Sequence, residues 1–384
     1  MFPQTADVVV IGGGVMGVSA AYHLALRGCT DVVLLEKGPF LGMEATGKCA
    51  GGIRYQFSTE INVRLSQLSL PMLMRFHEEL GQDIDLRWPG YLFLLDNDHD
   101  LAIFQSRAAM QNRLGVPTRL IDRAEVHALA PQLQIEDIIA ASWHPGDGLA
   151  DPNGVVQGYA AGARRLGAQI FTDTAATGIE VEAGRITAVT TPQGRIATRW
   201  VINAAGPWAG VVADMAGAAV PIQPVRRQIA VTTPLPELAA DFPFVIDFSR
   251  SLYFHREGQG VLTGMSNPAQ PPGFDQTVDR AWTVQHLEAA VQRLPLLGRA
   301  GLLSEWAGLY EVTPDAHPVI DRLEEPAGLV IAAGFSGHGF MHGPITGLLA
   351  AELVLDDRAH TLDISQLRLS RFAEGVPIYE HNVV

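Results

Sequence analysis

The sequence predicts an α/β (mixed α+β) fold in which pieces of a nucleotide-binding unit lie in separated stretches of chain, with strand-rich material inserted between them. Three observations carry this. Residues 7–11 (Asp-Val-Val-Val-Ile) are a short apolar, β-branched run ended by glycines, residues 15–27 read as a helix, and residues 31–36 (Asp-Val-Val-Leu-Leu-Glu) as a second such run, which together make a βαβ unit. A β-rich stretch in mid-chain leads into the small residues Asn203-Ala-Ala-Gly206. Residues 328–333 (Gly-Leu-Val-Ile-Ala-Ala) form another buried run, followed by a glycine-rich loop at 334–343 and a helix at 344–355.

Each element has a local reason. Gly28 closes the first helix, because glycine takes the left-handed turn past a helix end without steric cost. Asp151-Pro152 places an N-cap carboxylate before a proline at the first helical position, and that helix continues through Tyr159 and Arg164 to Gly167. The β-rich runs 178–181, 186–190 and 197–203 are separated by the turn sequences Glu182-Ala-Gly-Arg185 and Pro192-Gln-Gly194, the pattern of a meander. Residues 220–266 are strand-rich with Pro and Gly breaks, and 278–294 read as a helix. There is no internal repeat. At roughly 150 residues per domain, 384 residues suit two to three units, or two interleaved ones.

Composition removes several function classes. Lys and Arg number 27 against 41 Asp and Glu, a formal charge of −14, and no basic run exceeds the pairs Arg164-Arg165 and Arg226-Arg227. Nucleic acid and anionic membrane are poor partners for such a surface. A hydrophobic fraction of 47% with 18% charged residues is ample for a large core. Two cysteines, Cys29 and Cys49, make neither a disulfide framework nor a CxxC centre, so a reducing compartment is expected. Residues 1–7 lack the basic start of a signal peptide. The apolar stretch 8–26 is broken by Gly12, Gly13, Gly14 and Gly17 and carries His23, which suits strand–turn–helix rather than a membrane span. A soluble, cytoplasmic protein is the expectation.

Gly12-Gly-Gly14-Val-Met-Gly17 has GxGxxG spacing. The spacing alone is weak, and a glycine turn without a dinucleotide is the alternative. Here it follows a strand, opens a helix and is followed by Glu36 at the end of the next strand, near the ~20-residue offset of an acid that binds a ribose. Gly12 permits the tight turn, Gly14 lets a pyrophosphate approach the backbone, and Gly17 lets the helix pack on the strand. The helix N-terminus offers unpaired N–H groups to the phosphates. A second GxGxxG and paired cysteines are both missing from the sequence, which argues against a reductase fed by bound NAD(P)H and against a disulfide reductase.

Gly334-Phe-Ser-Gly-His-Gly339 lies where a GxSxG nucleophile elbow would be, but His338 replaces the second constrained glycine. Such a loop of small residues suits backbone N–H donation to an electron-rich ring. His338 and His342 have metal-ligand spacing without an adjacent acid, and His77-Glu-Glu lacks its second histidine; no metal is expected.

Several segments together resemble the FAD-dependent D-amino-acid-oxidase-like family, in its branch of glycine and sarcosine oxidases, sarcosine oxidase β subunits and L-proline dehydrogenase. They are the GxGxxG with Glu36, Cys49-Ala-Gly-Gly-Ile-Arg-Tyr-Gln-Phe57, Gly146-Asp-Gly-Leu-Ala-Asp-Pro152, Asn203-Ala-Ala-Gly-Pro-Trp208, Gly308-Leu-Tyr-Glu-Val-Thr-Pro-Asp315 and Gly334-Phe-Ser-Gly-His-Gly-Phe-Met341. They occur in the family's order and span nearly the whole chain. The resemblance implies a Rossmann-like FAD-binding domain built from residues 1–85, 146–219 and 322–384, and a mostly antiparallel substrate domain from 86–145 and 220–321. By that resemblance Gly12, Gly14, Gly17 and Glu36 hold the ADP half. Lys48, Ala50, Gly51, Gly52, Ala205, Gly206, Gly337, His338, Gly339, Phe340 and Met341 surround the isoalloxazine ring. Val15, Met16, Lys37, Ala176, Trp208, Gly308 and Gly334 complete the cofactor-binding set.

The family oxidises the C–N bond of an amino acid by hydride transfer to flavin N5, which needs a neutral amine held close and an anchor for the carboxylate. Arg54 corresponds to the arginine that clamps the carboxylate in sarcosine oxidases, and a guanidinium fork fits a carboxylate as lysine cannot. A structural ion pair is its alternative role. Tyr310 and Tyr253 match pocket-lining positions, with an ordinary core tyrosine the alternative for Tyr253. Met341 stands where monomeric sarcosine oxidases carry a second carboxylate-binding lysine, and Leu262 where they carry the lysine that activates oxygen. Their flavin-linking cysteine near Gly308 has no counterpart, so FAD is expected to be non-covalent, and Cys49 is read as a buried thiol. The expectation is therefore an FAD-dependent amino acid or amine oxidase or dehydrogenase acting on a glycine, sarcosine or proline type of substrate. A slow reaction with dioxygen would make a dye, electron-accepting protein or partner subunit the better acceptor. The alternative is a flavin-carrying subunit of a larger complex with little turnover of its own.

Overall fold

The computed structural model describes residues 2–382; the expected segment limits at 1 and 384 lie outside the described residues. Strand Val8–Ile11 has no polar side chain on either face, and it lies inside a sheet covered on both sides. Alternation decides which residue meets which layer. Val8 and Val10 join the core under the long helices, while Val9 and Ile11 join the core of the opposite face. Strand Val32–Leu35 divides the same way, Val32 and Leu34 to the helices and Val33 and Leu35 to the other side.

Among the described residues six strands form this sheet, in the order Val319–Arg322, Leu329–Ala333, Trp200–Asn203, Val8–Ile11, Val32–Leu35, Gln169–Phe171. All pair parallel except the outermost Val319–Arg322. Helices Val15–Leu26, Pro152–Arg165 and Gly339–Leu355 cover one face, and the three-stranded meander Gly178–Glu182, Arg185–Thr191, Gly194–Ala197 packs against the other. Asp151 caps its helix as its position before Pro152 predicts, accepting from the Asn153 and Gly154 N–H groups at 3.0 and 2.9 Å.

The second sheet has eight strands among the described residues, from Leu302–Val312 at one edge through Gln223–Thr232, Gly260–Met265, Leu252–Glu257, Phe244–Asp247, Tyr91–Leu95 and Ala140–His144 to Arg119–Ile121. Its neighbours are antiparallel except Phe244–Asp247 with Tyr91–Leu95. Helix Arg280–Arg293, capped by Asp279, backs one face. Tyr91, Phe93, Ile229, Phe244, Ile246 and Tyr253 of this sheet form a second core cluster, and all but Phe93 line a pocket shared with Gly51, Gly52 and Gly337.

Three expectations shift. The run 197–203 is not one strand: Ala197 ends the meander, the chain turns at Thr198 and Arg199, and Trp200–Asn203 enters the parallel sheet. The last long helix starts at Gly339, not at Pro344, which lies inside it. Proline there forfeits the N–H donor that would serve the Phe340 carbonyl, and its own carbonyl accepts from the Ser19 hydroxyl at 3.1 Å. The helix N-terminus therefore falls on Gly339, Phe340 and Met341 themselves. Finally, Val319–Arg322 pairs with Leu329–Ala333, so the chain has rejoined the nucleotide sheet before residue 322.

The C-terminal segment returns to the core through a fully buried ion pair. The Arg371 guanidinium gives two hydrogen bonds to Asp315, at 2.8 and 3.0 Å, and others to the carbonyls of Leu367 and His317. The Asp315 carboxylate also accepts from the Ile378 N–H at 3.2 Å. Breaking one side of such a pair strands a buried charge, so Asp315→Asn is expected to cost about 3–5 kcal/mol in urea unfolding. A loss below about 1 kcal/mol would show that the segment is held by something else.

Candidate active site

A cleft runs along the carboxyl ends of strands Val8–Ile11, Val32–Leu35 and Trp200–Asn203, where open parallel sheets bind ligands. With its open mouth it spans about 1260 Å³, the open solvent at the mouth included. Local sequence makes the opening. Gly12 takes φ +112°, and a Cβ there would lie 2.3 Å from the Ala204 carbonyl oxygen. A Cβ on Gly17 would lie 1.9 Å from the Gly12 carbonyl oxygen, so only glycine lets the first helix sit this close. Gly14 is the N-cap, and no side chain caps the helix; the Val15 N–H alone reaches the Thr46 hydroxyl at 3.2 Å. Glu36 is held at the strand end by the Gly13 and Gly38 N–H groups, both at 2.7 Å.

Gly12, Gly14, Val15, Met16, Glu36, Lys37, Ala176, Ala205, Gly206, Trp208, Gly337, Gly339 and Phe340 all line the cleft. Gly17 and Gly334 do not line it; Gly17 serves helix packing, and a Cβ on Gly334 would strike Thr313 at 2.6 Å. The Lys37 ammonium lies 3.0 Å from the centroid of the Trp208 ring, which stacks on Phe274. An uncapped helix N-terminus and a fixed carboxylate at the next strand end fit the pyrophosphate and ribose of FAD. The second uncapped N-terminus, at Gly339 with His338 as N-cap, fits the electron-rich end of its ring.

Past Cys49, Tyr310, Gly337 and Phe340, which border both spaces, the cleft opens into a smaller chamber. The expected residues Lys48, Ala50, Gly51, Gly52, Arg54, Tyr253, Gly308, His338 and Met341 line it, joined by Tyr91, Arg227 and Phe244 from the antiparallel sheet. Two tyrosines lie directly on glycine backbone: a Cβ on Gly52 would meet the Tyr91 hydroxyl at 1.8 Å, and one on Gly337 the Tyr310 ring at 2.3 Å.

Arg54 is buried, with its guanidinium 4.1 Å from the Phe57 ring centroid. It donates to the carbonyls of Gln56 and Asn382 and, among the described residues, makes no ion pair. Burial lowers its pKa, opposed by Tyr91, Glu380 and Asp147 nearby. Glu380 reaches this region from the chain end and accepts from the Ser58 N–H, the Thr59 hydroxyl and the Asn62 amide at 2.8, 3.0 and 2.9 Å. Burial alone would raise its pKa; these bonds and His317 instead hold it at about 2. Lys48 turns its ammonium to Glu44 at 3.3 Å and to Gln276.

Burial lowers the His338 pKa to about 4 and that of His342 further still, so both rings are neutral at pH 7. The His338 Nε2 meets the Ala316 carbonyl at 3.0 Å and the His342 Nε2 the Ser66 hydroxyl at 3.0 Å. Among the described residues no three His, Cys, Asp or Glu side chains gather as a metal site. Burial pushes the Cys49 thiol up to about 12. Both cysteines are free.

Sequence reasoning missed Arg227, Tyr91 and Glu311. Arg227 was visible only as half of a basic pair, and its inward direction depends on strand register. Glu311 lines the cofactor cleft, is buried, and leaves its Oε2 without a hydrogen-bond partner. Burial raises its pKa to about 7, against hydrogen bonds from the Gly334 and Phe335 backbone.

A dinucleotide cleft opening into a small chamber lined by arginines and tyrosines is the layout of a cofactor-dependent oxidoreductase. The family described as FAD dependent oxidoreductase matches residues 7–353, and the chain belongs to it. It is similar to mitochondrial dimethylglycine dehydrogenase of Mus musculus, 31% identical over 389 residues covering 96% of this chain and 44% of that one. The chain thus spans about half the length of that dehydrogenase. Among solved structures, L-proline dehydrogenase from P. horikoshii superposes with TM-score 0.91 at 36% identity, covering 97% of this chain and 99% of that one. Glycine oxidase from Geobacillus kaustophilus superposes with TM-score 0.86 at 25% identity, covering 96% and 99%. No helix among the described residues is long and apolar enough to cross a membrane.

Glu311 gives the cleft a pH dependence. Folded, its carboxyl keeps its proton to about pH 7; unfolded, it loses it near the ordinary value of 4.5. The unfolded state therefore binds fewer protons over that window, and this group makes stability fall as pH rises. Glu311→Gln removes the penalty. Its stability relative to the parent is expected to rise by on the order of 2–3 kcal/mol between about pH 5 and about pH 8. A pH-independent difference in thermal unfolding would contradict this.

Proposed function

We propose that the chain oxidises the C–N bond of a small amino acid or N-alkyl amino acid, of glycine, sarcosine or proline type, with non-covalently held FAD. The observation that carries this reading is Arg54: a buried guanidinium, free of any carboxylate contact among the described residues, lining a small chamber beside the cofactor cleft. Glu380 and Asp147 lie near it without a direct contact, so a substrate carboxylate would be its direct ion-pair partner. Bound FAD would supply a two-electron acceptor for the hydride on the carbon next to the amine nitrogen, which would give up a proton, leaving an imine that water would hydrolyse. Gly12, Gly14, Val15 and Glu36 would hold the ADP half, and the amides at Gly339–Met341 the ring. Arg54 anchors one end of the substrate, and the rings of Tyr91, Tyr253, Tyr310 and Phe244 enclose the rest. A fixed cation among apolar walls also disfavours a second cation, so the bound amine is driven toward its neutral, oxidisable form.

The division into an FAD domain (1–85, 146–219 and the chain from about Val319 on) and a substrate domain (86–145 and 220 to about 318) is part of this reading, the expected limit at 322 moving back to the strand Val319–Arg322. Leu262 is buried in the core behind the chamber, Met341 is apolar, and the Lys48 ammonium is occupied by Glu44. Dioxygen reduction begins with an anion that a nearby free cation would stabilise. These residues favour a dye, protein or partner subunit as electron acceptor. The free thiols support a reducing, cytoplasmic setting.

Anaerobic mixing of the purified holoprotein with single amino acids tests the reading. Bleaching of the flavin absorbance by one of them is expected, and denaturation should release intact FAD into the supernatant. No bleaching by any amine would leave a flavin-carrying subunit instead, and flavin retained by the precipitate would defeat non-covalent binding.

Arg54→Lys removes the bidentate fork. It is expected to raise KM for the amino acid by an amount corresponding to on the order of 2–4 kcal/mol, with kcat less affected, since the contact exists before and during the reaction. An amine without the carboxylate should be nearly indifferent. Equal damage to both substrates would mean that Arg54 supports the flavin loop instead.

A further inference from the structure

Arg226 and Arg227 are adjacent on strand Gln223–Thr232, and strand alternation sends them to different surroundings. Arg226 pairs with Asp275 at 2.7 Å and also donates to the Thr277 carbonyl. Arg227 lies opposite Gly308 in the register, where the partner strand has no side chain, and it enters the chamber. Its guanidinium lies 5.2 Å from the centroid of the Tyr310 ring. One nitrogen donates to the Arg226 carbonyl at 3.0 Å, and the buried Nε has no partner.

Three cations line this chamber, and their charges are met differently. Lys48 is neutralised by Glu44. Arg54 has Glu380 and Asp147 behind it. Arg227 has neither: among the described residues it makes no ion pair, and the groups beside it are Tyr310 and Tyr253, which burial keeps neutral. Burial lowers its pKa, the direction expected of a cation whose counter-charge is missing. It does not line the cleft at the end where Gly12–Val15 would bind phosphate. A half-buried guanidinium with an orphaned donor is costly unless a ligand completes it.

We propose that the substrate carries a second carboxylate and that Arg227 receives it, so that the chamber is built for a small dicarboxylic amino acid, with Arg54 and Arg227 each holding one acid group. The oxidisable amine part of this rests on the function proposed above; the dicarboxylate part does not. An amine nitrogen held between two anchored carboxylates has few orientations, which leaves its α-carbon fixed toward the cofactor cleft.

The test uses the FAD-loaded protein and two unreactive probes, malonate and acetate, titrated against the visible flavin spectrum. Malonate is expected to bind at least tenfold tighter than acetate. Arg227→Gln should weaken malonate at least tenfold and leave acetate within about threefold, and Arg227→Lys should recover part of the malonate affinity. Flavin content of the variants reports that the fold is intact. In turnover, the KM of iminodiacetate relative to sarcosine should rise at least tenfold in Arg227→Gln. Equal affinity for the two probes, or an equal loss of both in the variant, would overturn the proposal, the latter by making Arg227 the anchor of a single carboxylate. If the malonate preference depends on Arg227 but no amine bleaches the flavin, the dicarboxylate site stands and the amine-oxidation reading fails. If sarcosine bleaches it and malonate has no advantage, the reverse holds.

Discussion

The cleft depends on one close contact, the approach of the first helix to the first strand at Gly17 and Gly12. A single added methyl group at Gly17 would sit 1.9 Å from the Gly12 carbonyl oxygen. Because it is absent, the helix axis meets the strand end closely enough for its uncapped N–H groups to face the cleft, and Glu36 is drawn in by the Gly13 amide. The helix N-terminus, the Glu36 carboxylate and the turn are thus brought together by one packing event. The last long helix repeats the device: it begins among small residues at Gly339, and its own uncapped end faces the same cavity.

Polar groups in the chamber are held from behind by the chain end. Asp315 and Arg371 fix the returning segment, Glu380 gathers the Ser58 N–H, Thr59 and Asn62 at the start of helix Glu60–Met74, and the Asn382 carbonyl takes one arm of Arg54. Buried charges of this kind add little net stability, but each is costly to disturb. They fix where the guanidinium of Arg54 points within the chamber.

Neutral groups do the remaining work. The histidines His338 and His342, whose spacing invites a metal, are packed edge to ring with each other, both lie against Phe57, and burial keeps them uncharged. The positive charge of the chamber therefore comes from its arginines, which stay protonated even when buried.

The cofactor half of the protein was legible in the chain because its signals are local. Gly12, Gly14, Gly17 and Glu36 lie within one βαβ unit, and the strand and helix patterns around them need no distant partner to be read. The lining of the smaller chamber was legible only through resemblance, at Arg54, Tyr253, Tyr310 and Met341. Arg227 and Glu311 carried no local mark. Whether Arg227 meets Asp275, as its neighbour does, or the chamber is decided by a one-residue alternation in a strand paired with residues some eighty positions away. Likewise Pro344 reads as a helix start, yet the helix begins five residues earlier, because packing against Ser19 and the first helix outweighs the lost N–H. Sequence alone determined the strands, turns and glycines that make a dinucleotide cleft, since backbone geometry there depends on neighbouring residues. Tertiary structure decided which charges are left without partners in the chamber, since a counter-ion can come from any part of the chain.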